Sequence, residues 1–274
     1  MMVDEEALLI IAGSREYPRV VIEGARASGV RRIEVIAFRH ETRAAGLKGA
    51  DAVHWLAFGS LAELLQRIEA SGIKRVMMVG QIAPRHLFSL RLDDAAKELL
   101  NTLAIRNAHT IFSALIREIE RCGVQVLPAH SYMHDYLPAP GAVSARPPTV
   151  AEESDMGLGI RYIRQQSAFD VGQTVVVRSG YIVAVEAMEG TDRTIVRAGR
   201  VGGGRSVVVK VPRQEHDFRF DIPVIGPQTI QVMKRAKASC IAIESQATLI
   251  FNRPKTVALA NRAGIAIYAT ESLR

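Results

Sequence analysis

Apolar positions in the first half of the chain fall into short continuous runs, separated by segments of helical period. Ala7–Gly13 (ALLIIAG) is an apolar run closed by glycine, as suits a strand buried on both faces of a parallel sheet. Pro18–Ser28 has proline at its start and Gly29 just past its end, the usual asymmetry of a helix. Arg31–Phe38 and Asp51–Phe58 are the next strands. Ser60-Leu-Ala-Glu63 has the spacing of a capping box and opens a helix to Ser71. Lys74–Ile82 is a fourth strand. Helices follow near Asp93–Leu103 and Asn107–Arg121, with Gly123 as a stop, and Val124–Leu127 is a fifth strand. Repeated strand–helix units with short connections imply a parallel sheet covered on both faces, a Rossmann-like domain over residues 1–130.

Pro128, Pro138, Pro140, Gly141, Pro147 and Pro148 then cluster, which marks residues 131–148 as a linker. The pattern restarts with a second capping box, Thr149-Val-Ala-Glu152, and a helix to about Gln166. Gly172–Ala187 holds two β-rich runs flanking Ser179-Gly180, a hairpin signal. A helix starts near Thr191, and Ser206–Val211 is a strand. Helices at Pro227–Ala238 and Pro254–Ala263 alternate with strands at Ile241–Glu244, Thr248–Phe251 and Ile265–Ala269. The expected fold is α/β throughout: an N-terminal Rossmann-like parallel-sheet domain and a second α/β domain over residues 149–274.

Composition narrows the function. Across 274 residues, 48% are hydrophobic and 23% charged, which is globular and excludes disorder. A net charge of +7 favours phosphate ligands, nucleic acid or an acidic membrane surface, although a merely solvated basic surface fits the charge as well. Aromatic residues at 5% are too few to stack single-stranded nucleic acid, so no nucleic-acid partner is expected. Cys122 and Cys240 make no disulfide framework and point to a reducing compartment. The acidic start lacks the basic region of a signal peptide, and no apolar run approaches the ~18 residues of a membrane span. A soluble or peripheral protein is expected, cytoplasmic if bacterial, with its oligomeric state open.

Several positions can carry chemistry. Gly13 and Ser14 follow the first strand and precede a helix, where doubly wound sheets bind phosphate. A single glycine there is no dinucleotide fingerprint, and a plain turn fits equally. Gly80, Gln81 and Ile82 end the fourth strand at the same sheet edge, so both turns border one cleft if the strand order is the usual one. Glu189-Gly190-Thr191-Asp192 opens a helix that Thr191 can cap. With Glu186, its carboxylates suit either a hard cation or simply the helix start. Lys210 sits in an otherwise apolar strand, Val207–Val211, where a lysine is either on an exposed edge or aimed into a site, and as a flexible point charge it suits a phosphate oxygen. Asp221 alternates with Phe220 and Ile222, so as a strand residue it points away from them; Gly226 and Thr229 flank Pro227 at the next helix start. His130 and His134 lie between prolines with no third ligand at zinc spacing.

The runs Gly172-Gln173-Thr-Val-Val-Val177, Val183-Ala-Val-Glu-Ala187, Glu189-Gly-Thr-Asp192, Val209-Lys210-Val-Pro212 and Phe220-Asp-Ile-Pro-Val-Ile-Gly226 with Thr229 resemble the LpxI family of UDP-2,3-diacylglucosamine diphosphatases of lipid A synthesis. The resemblance covers nearly the whole chain. It implies two α/β domains with the acylated UDP-sugar held between them, and a divalent cation, Mg²⁺ or Mn²⁺. It implies water attack on the α-phosphorus, giving UMP and 2,3-diacylglucosamine 1-phosphate. The family's essential aspartate falls on Asp221. Lys210 is then the catalytic cation, and Asp221, Asp192 and Glu189 are the metal candidates. Substrate contacts fall on Gly13, Ser14, Gly80, Gln81 and Ile82 in the first half, and on Gln173, Glu189, Gly190, Thr191, Gly226 and Thr229 in the second. Where members commonly carry a second glycine in the first turn, this chain has Arg15 and Glu16. The implied setting is the cytoplasmic face of a Gram-negative inner membrane, with the anionic bilayer as a peripheral partner. Two other classes suit parts of the pattern. The absent glycine fingerprint argues against a nicotinamide-dependent oxidoreductase, and acidic and basic site residues occurring together argue against a non-catalytic nucleotide-binding module.

Overall fold

The computed structural model describes residues 6–80, 92–169 and 171–271. The chain divides into two units. One comprises Met1–Met133 with Asp217–Asp221, and the other His134–His216 with Ile222–Arg274.

The first unit is built on five strands: β1 (Ala7–Ala12), β2 (Arg32–Phe38), β3 (Ala52–Leu56), β4 (Arg75–Val79) and β5 (Gln125–Leu127), in the order β3-β2-β1-β4-β5. Every pairing is parallel, with Leu9 opposite Glu34 on one side and Val76 on the other. All six residues of β1 are buried, which is why its sequence runs apolar without alternation. Helices α1 (Tyr17–Ala27), α2 (Leu61–Ser71), α3 (Asp94–Asn101) and α4 (Ala108–Arg121) accompany the sheet. The expected Ser60 capping box does not form, since the Ser60 side chain makes no cap bond. Asp93 takes over that role. One carboxylate oxygen accepts from the Ala62 amide at 2.9 Å and the other from the Ala96 amide at 2.8 Å, so a single side chain caps α2 and α3.

The second unit has a six-stranded sheet in the order β6-β13-β11-β9-β7-β8. Its strands are β6 (Gly141–Ala142), β7 (Thr174–Arg178), β8 (Tyr181–Val185), β9 (Val207–Lys210), β11 (Cys240–Glu244) and β13 (Ala266–Thr270), with a separate parallel pair β10 (Val224–Ile225) and β12 (Leu249–Ile250). Strands β9, β11 and β13 run parallel, and β7 is antiparallel to β8 and β9. The strand period of two sorts the valines. Val175, Val177, Val207 and Val209 meet Met156, Ile160 and Ile163 of α5 (Val150–Gln165) on one face. Val176 and Val208 meet Ile195 of α6 (Thr191–Gly202) and Ile230 and Met233 of α7 (Pro227–Ala236) on the other. Helix α8 (Arg253–Ala263) completes the second face through Ala260. Each fully buried valine contributes about 1.5–3 kcal/mol. The hairpin turn forms at Ser179-Gly180, both with positive φ, and the Asp155 carboxylate accepts both turn amides at 2.8 and 2.7 Å.

Part of the expected linker is instead structure of the second unit. Gly141–Ala142 pairs with β13, Ser144 Oγ accepts from the Ile267 amide at 2.8 Å, and the Ala145 amide donates to Asn261 at 2.8 Å. The prolines there do not free the segment, because the amides between them are taken up by the sheet edge and its neighbouring helix.

The Thr149–Glu152 capping box does form, and Glu152 is also the hub of a partly buried ion pair. Arg146 donates to both of its oxygens at 2.8 and 2.9 Å, and Ser239 donates at 2.6 Å. Burial pushes this carboxyl up, but the Arg146, Ser239 and Thr149 hydrogen bonds outweigh it and hold it near about 2, below the ordinary 4.5. A depressed folded-state value means that the stabilisation is complete above the unfolded value and is lost as pH falls through the folded one. Glu152→Gln is therefore expected to melt lower than the parent by a constant margin down to about pH 5, the gap closing toward about pH 2. A gap independent of pH across that range would contradict this.

Candidate functional site

Strands β1 and β4 are adjacent, and the chain leaves them toward opposite sides of the sheet, since β2 and β3 lie beyond β1 and β5 beyond β4. The carboxyl ends of β1 and β4 therefore border the switch-point crevice where open α/β sheets bind ligands. The turns that follow them touch. The Gly13 amide donates to Val79 O at 2.7 Å. Gly80 has φ +102°, and a Cβ there would lie 2.8 Å from both Gly13 C and Ser14 O. Gly13, Ser14 and Gly80 thus come together as the strand pattern implied. Gln81 and Ile82 lie outside the described residues. Arg15, in the turn after β1, adopts φ +71°, the left-handed region that favours glycine.

Asp221 is grouped with this first unit although it is encoded in the second half. The expected strand around it does not form, and residues 218–220 are a turn. The cause is local. Asp217 Oδ1 accepts from the Arg219 amide at 3.0 Å, and the Arg219 guanidinium folds back onto the same carboxylate. Contacts within the first unit anchor the turn, among them Ala129 donating to Phe218 O at 2.7 Å, Arg219 pairing with Glu120 at 3.1 Å, and Phe220 stacking on Phe112 with centroids 5.4 Å apart. Phe220 is thus partly buried against the first unit's core and Ile222 belongs to the second unit, so their alternation marks a crossing of the chain rather than a strand.

The half-buried Asp221 acts electrostatically on Tyr17, the first residue of α1. Burial first, and the Asp221 charge second, push the Tyr17 phenol far up, with Arg15 opposing. Tyr17 is therefore a neutral donor at physiological pH, beside a carboxylate and at the crevice-lining turn. Sequence reasoning passed over it, because a tyrosine before a proline at a helix start carries no motif.

In the second unit, Lys210 ends β9 and its ammonium donates to Thr191 Oγ1 at 2.6 Å. Thr191 in turn donates to Glu186 Oε1 at 3.0 Å, and Thr174 Oγ1 lies 3.2 Å from Thr191 Oγ1. Thr191 does not cap its helix as expected. Gly190, with φ +82°, holds the cap position and Thr191 is the first helical residue, so its hydroxyl serves the lysine. Glu189 is paired with Arg197 at 2.5 Å, and that hydrogen bond is the main reason its carboxyl is held near about 2. Asp192 is exposed. Gln173 is half-buried just before β7, and Thr229 Oγ1 accepts from the Gly226 amide at 3.3 Å at the start of α7. The site residues thus form two sets, Gly13, Ser14, Gly80, Tyr17 and Asp221 in one unit and Glu186, Thr191 and Lys210 in the other.

Among the described residues, no three His, Cys, Asp or Glu side chains are grouped to hold a cation. No helix among the described residues is long and apolar enough to cross a membrane.

Two family models match the chain, the LpxI N-terminal domain over residues 7–136 and the LpxI C-terminal domain over residues 139–268. A curated relative from Caulobacter vibrioides, named UDP-2,3-diacylglucosamine pyrophosphatase LpxI, is 25% identical over 234 residues, covering 81% of this chain and 82% of that protein. With both domain models matched in order and together spanning nearly all of its length, the chain belongs to the LpxI family.

Proposed function

We propose that this protein hydrolyses the pyrophosphate of UDP-2,3-diacylglucosamine, releasing UMP and 2,3-diacylglucosamine 1-phosphate for lipid A synthesis. The observation that carries this reading is the match to both domains of a family whose relative bears that activity in its name. The site residues supply suitable chemistry. A pyrophosphate must shed negative charge as its bridging bond breaks, and the Lys210 ammonium is a donor for that charge. Asp221 accepts a proton from water or orients it, and neutral Tyr17 donates toward the carboxylate or a phosphate oxygen. Mg²⁺ or Mn²⁺, when bound, supplies further neutralisation of the phosphates. We assign it to Asp221, with Asp192 as the alternative donor, since Glu189 is already committed to Arg197. The net charge of +7 also suits peripheral attachment to an anionic bilayer, where a diacylated substrate resides.

Metal dependence tests this reading directly. Turnover of UDP-2,3-diacylglucosamine in detergent micelles, followed as UMP release, should vanish after metal stripping and return on adding Mg²⁺ or Mn²⁺. Full turnover in excess chelator would remove the cation from the mechanism.

A further inference from the structure

Glu186 has no part in the proposed hydrolysis, yet its carboxylate sits where it can govern Lys210. Thr191 Oγ1 has three polar neighbours: Lys210 Nζ at 2.6 Å, Glu186 Oε1 at 3.0 Å and Thr174 Oγ1 at 3.2 Å. A hydroxyl carries one proton and two lone pairs. An ammonium can only donate and a carboxylate only accepts, so the Thr191 proton must go to Glu186. Both lone pairs then face donors, Lys210 and Thr174. The polarity of the network is fixed by Glu186 alone.

The surroundings are built for that carboxylate. The Gly172 amide donates to Glu186 O at 3.0 Å, and the Glu186 amide donates to Thr174 O at 2.8 Å, so its backbone is pinned on both sides. A Cβ at position 172 would come within 2.4 Å of Glu186 Cγ, so glycine there leaves the side chain its room. Glu186 Oε2 is shielded from solvent with no partner among the described residues, which keeps the carboxylate's hydrogen bonding directed at Thr191. Lys210 donates to Thr191 and lies within 4.0 Å of no carboxylate oxygen among the described residues, so two of its three N–H bonds remain for an anion.

We propose that Glu186 is a positioning residue that, through Thr191, holds the Lys210 ammonium with two donors directed at a phosphate of the substrate. This rests on the reading of Lys210 as a phosphate-binding cation. Replacing the carboxylate by an amide removes that constraint. The NH2 of Glu186→Gln can donate to Thr191, whose own proton is then free for Thr174 and whose lone pairs are contested by one more donor beside the ammonium.

The test compares Glu186→Gln, Thr191→Val and Thr191→Ser with the parent protein in two assays. In the first, kcat and KM are measured for UDP-2,3-diacylglucosamine. Glu186→Gln and Thr191→Val should lower kcat roughly tenfold to a hundredfold, on the order of the loss from a misplaced catalytic group, with a smaller change in KM. Thr191→Ser, which keeps the hydroxyl, should stay within about threefold. The second assay needs no substrate: ¹⁵N spectra of the lysine ammonium groups, with Lys210 assigned by Lys210→Arg. The Lys210 signal should be sharp in the parent and in Thr191→Ser, and broadened or lost in Glu186→Gln and Thr191→Val. A parent that turns over no substrate would sink the proposed function, while the ¹⁵N spectra would still decide the network. Unchanged kcat together with an unchanged Lys210 signal in Glu186→Gln would overturn the proposal. If Glu186→Gln fails to fold, the contrast between Thr191→Ser and Thr191→Val decides in its place.

Discussion

Asp221→Asn is expected to lower turnover by about 10³–10⁴-fold while substrate binding and melting temperature change little. Asparagine keeps the shape of the side chain and removes the charge. If the carboxylate orients water or holds the cation, the lost interaction belongs to the transition state, and kcat falls rather than affinity. The fold has little stake in that charge, because the turn is anchored by its neighbours. Asp217 and Arg219 close it locally, Arg219 reaches Glu120, and Phe220 is packed on Phe112. Loss of the Asp221 charge also removes the second-largest influence raising the Tyr17 phenol, leaving burial as the dominant one. Turnover, equilibrium binding and a thermal melt, measured on one preparation, check this. Near-parental turnover would take Asp221 out of the chemistry.

Gly80→Ala should destabilise the N-terminal unit by about 2–5 kcal/mol, the sum of a left-handed backbone penalty and an overpacking cost. At φ +102°, a side chain is strained whatever the space around it. Its Cβ would in addition press on backbone, with Gly13 C and Ser14 O both at 2.8 Å, and backbone in a strand-end turn cannot swing aside as a flexible side chain can. Gly29 is the matched control. Its φ is +88°, but nothing lies within 4 Å of a Cβ there, so Gly29→Ala carries only the backbone penalty. The expected melting losses are roughly 5–15 °C for Gly80→Ala and clearly less for Gly29→Ala. Because the Gly13 turn must move to admit the methyl group, Gly80→Ala should also impair turnover at temperatures where it remains folded. Equal melting losses for the two variants would show that the contact between the turns is not tight.

The elements legible in the sequence were those whose causes are local. Ser179-Gly180 between two valine-rich runs made the hairpin, and Thr149 with Glu152 made the capping box, because the residues responsible are neighbours in the chain. The crevice between Gly13 and Gly80 was legible for a related reason, since parallel strands of the usual order must end beside one another. Misreadings arose where a distant group took over a local role. Asp93 caps α2 in place of Ser60, and Lys210 and Glu186 claim the Thr191 hydroxyl that looked like a cap. Asp221 was misread for another reason. Phe220 and Ile222 copy the two-residue period of a strand, but they serve different units on either side of a crossing. Tyr17 was invisible beforehand because its character comes from burial and from Asp221, two hundred positions away in the chain.

Hydrolysis of UDP-2,3-diacylglucosamine in ¹⁸O-enriched water, with both products analysed by mass spectrometry, bears most directly on the proposed function. The expected result is UMP and 2,3-diacylglucosamine 1-phosphate in equal amounts, with one ¹⁸O atom per turnover on phosphorus. Label in UMP corresponds to attack on the α-phosphorus, as the family resemblance implied, and label in the sugar phosphate would move the attack to the β-phosphorus. Release of UDP with ¹⁸O on the sugar, or no consumption of substrate in the presence of Mg²⁺ or Mn²⁺, would contradict pyrophosphate hydrolysis by this protein.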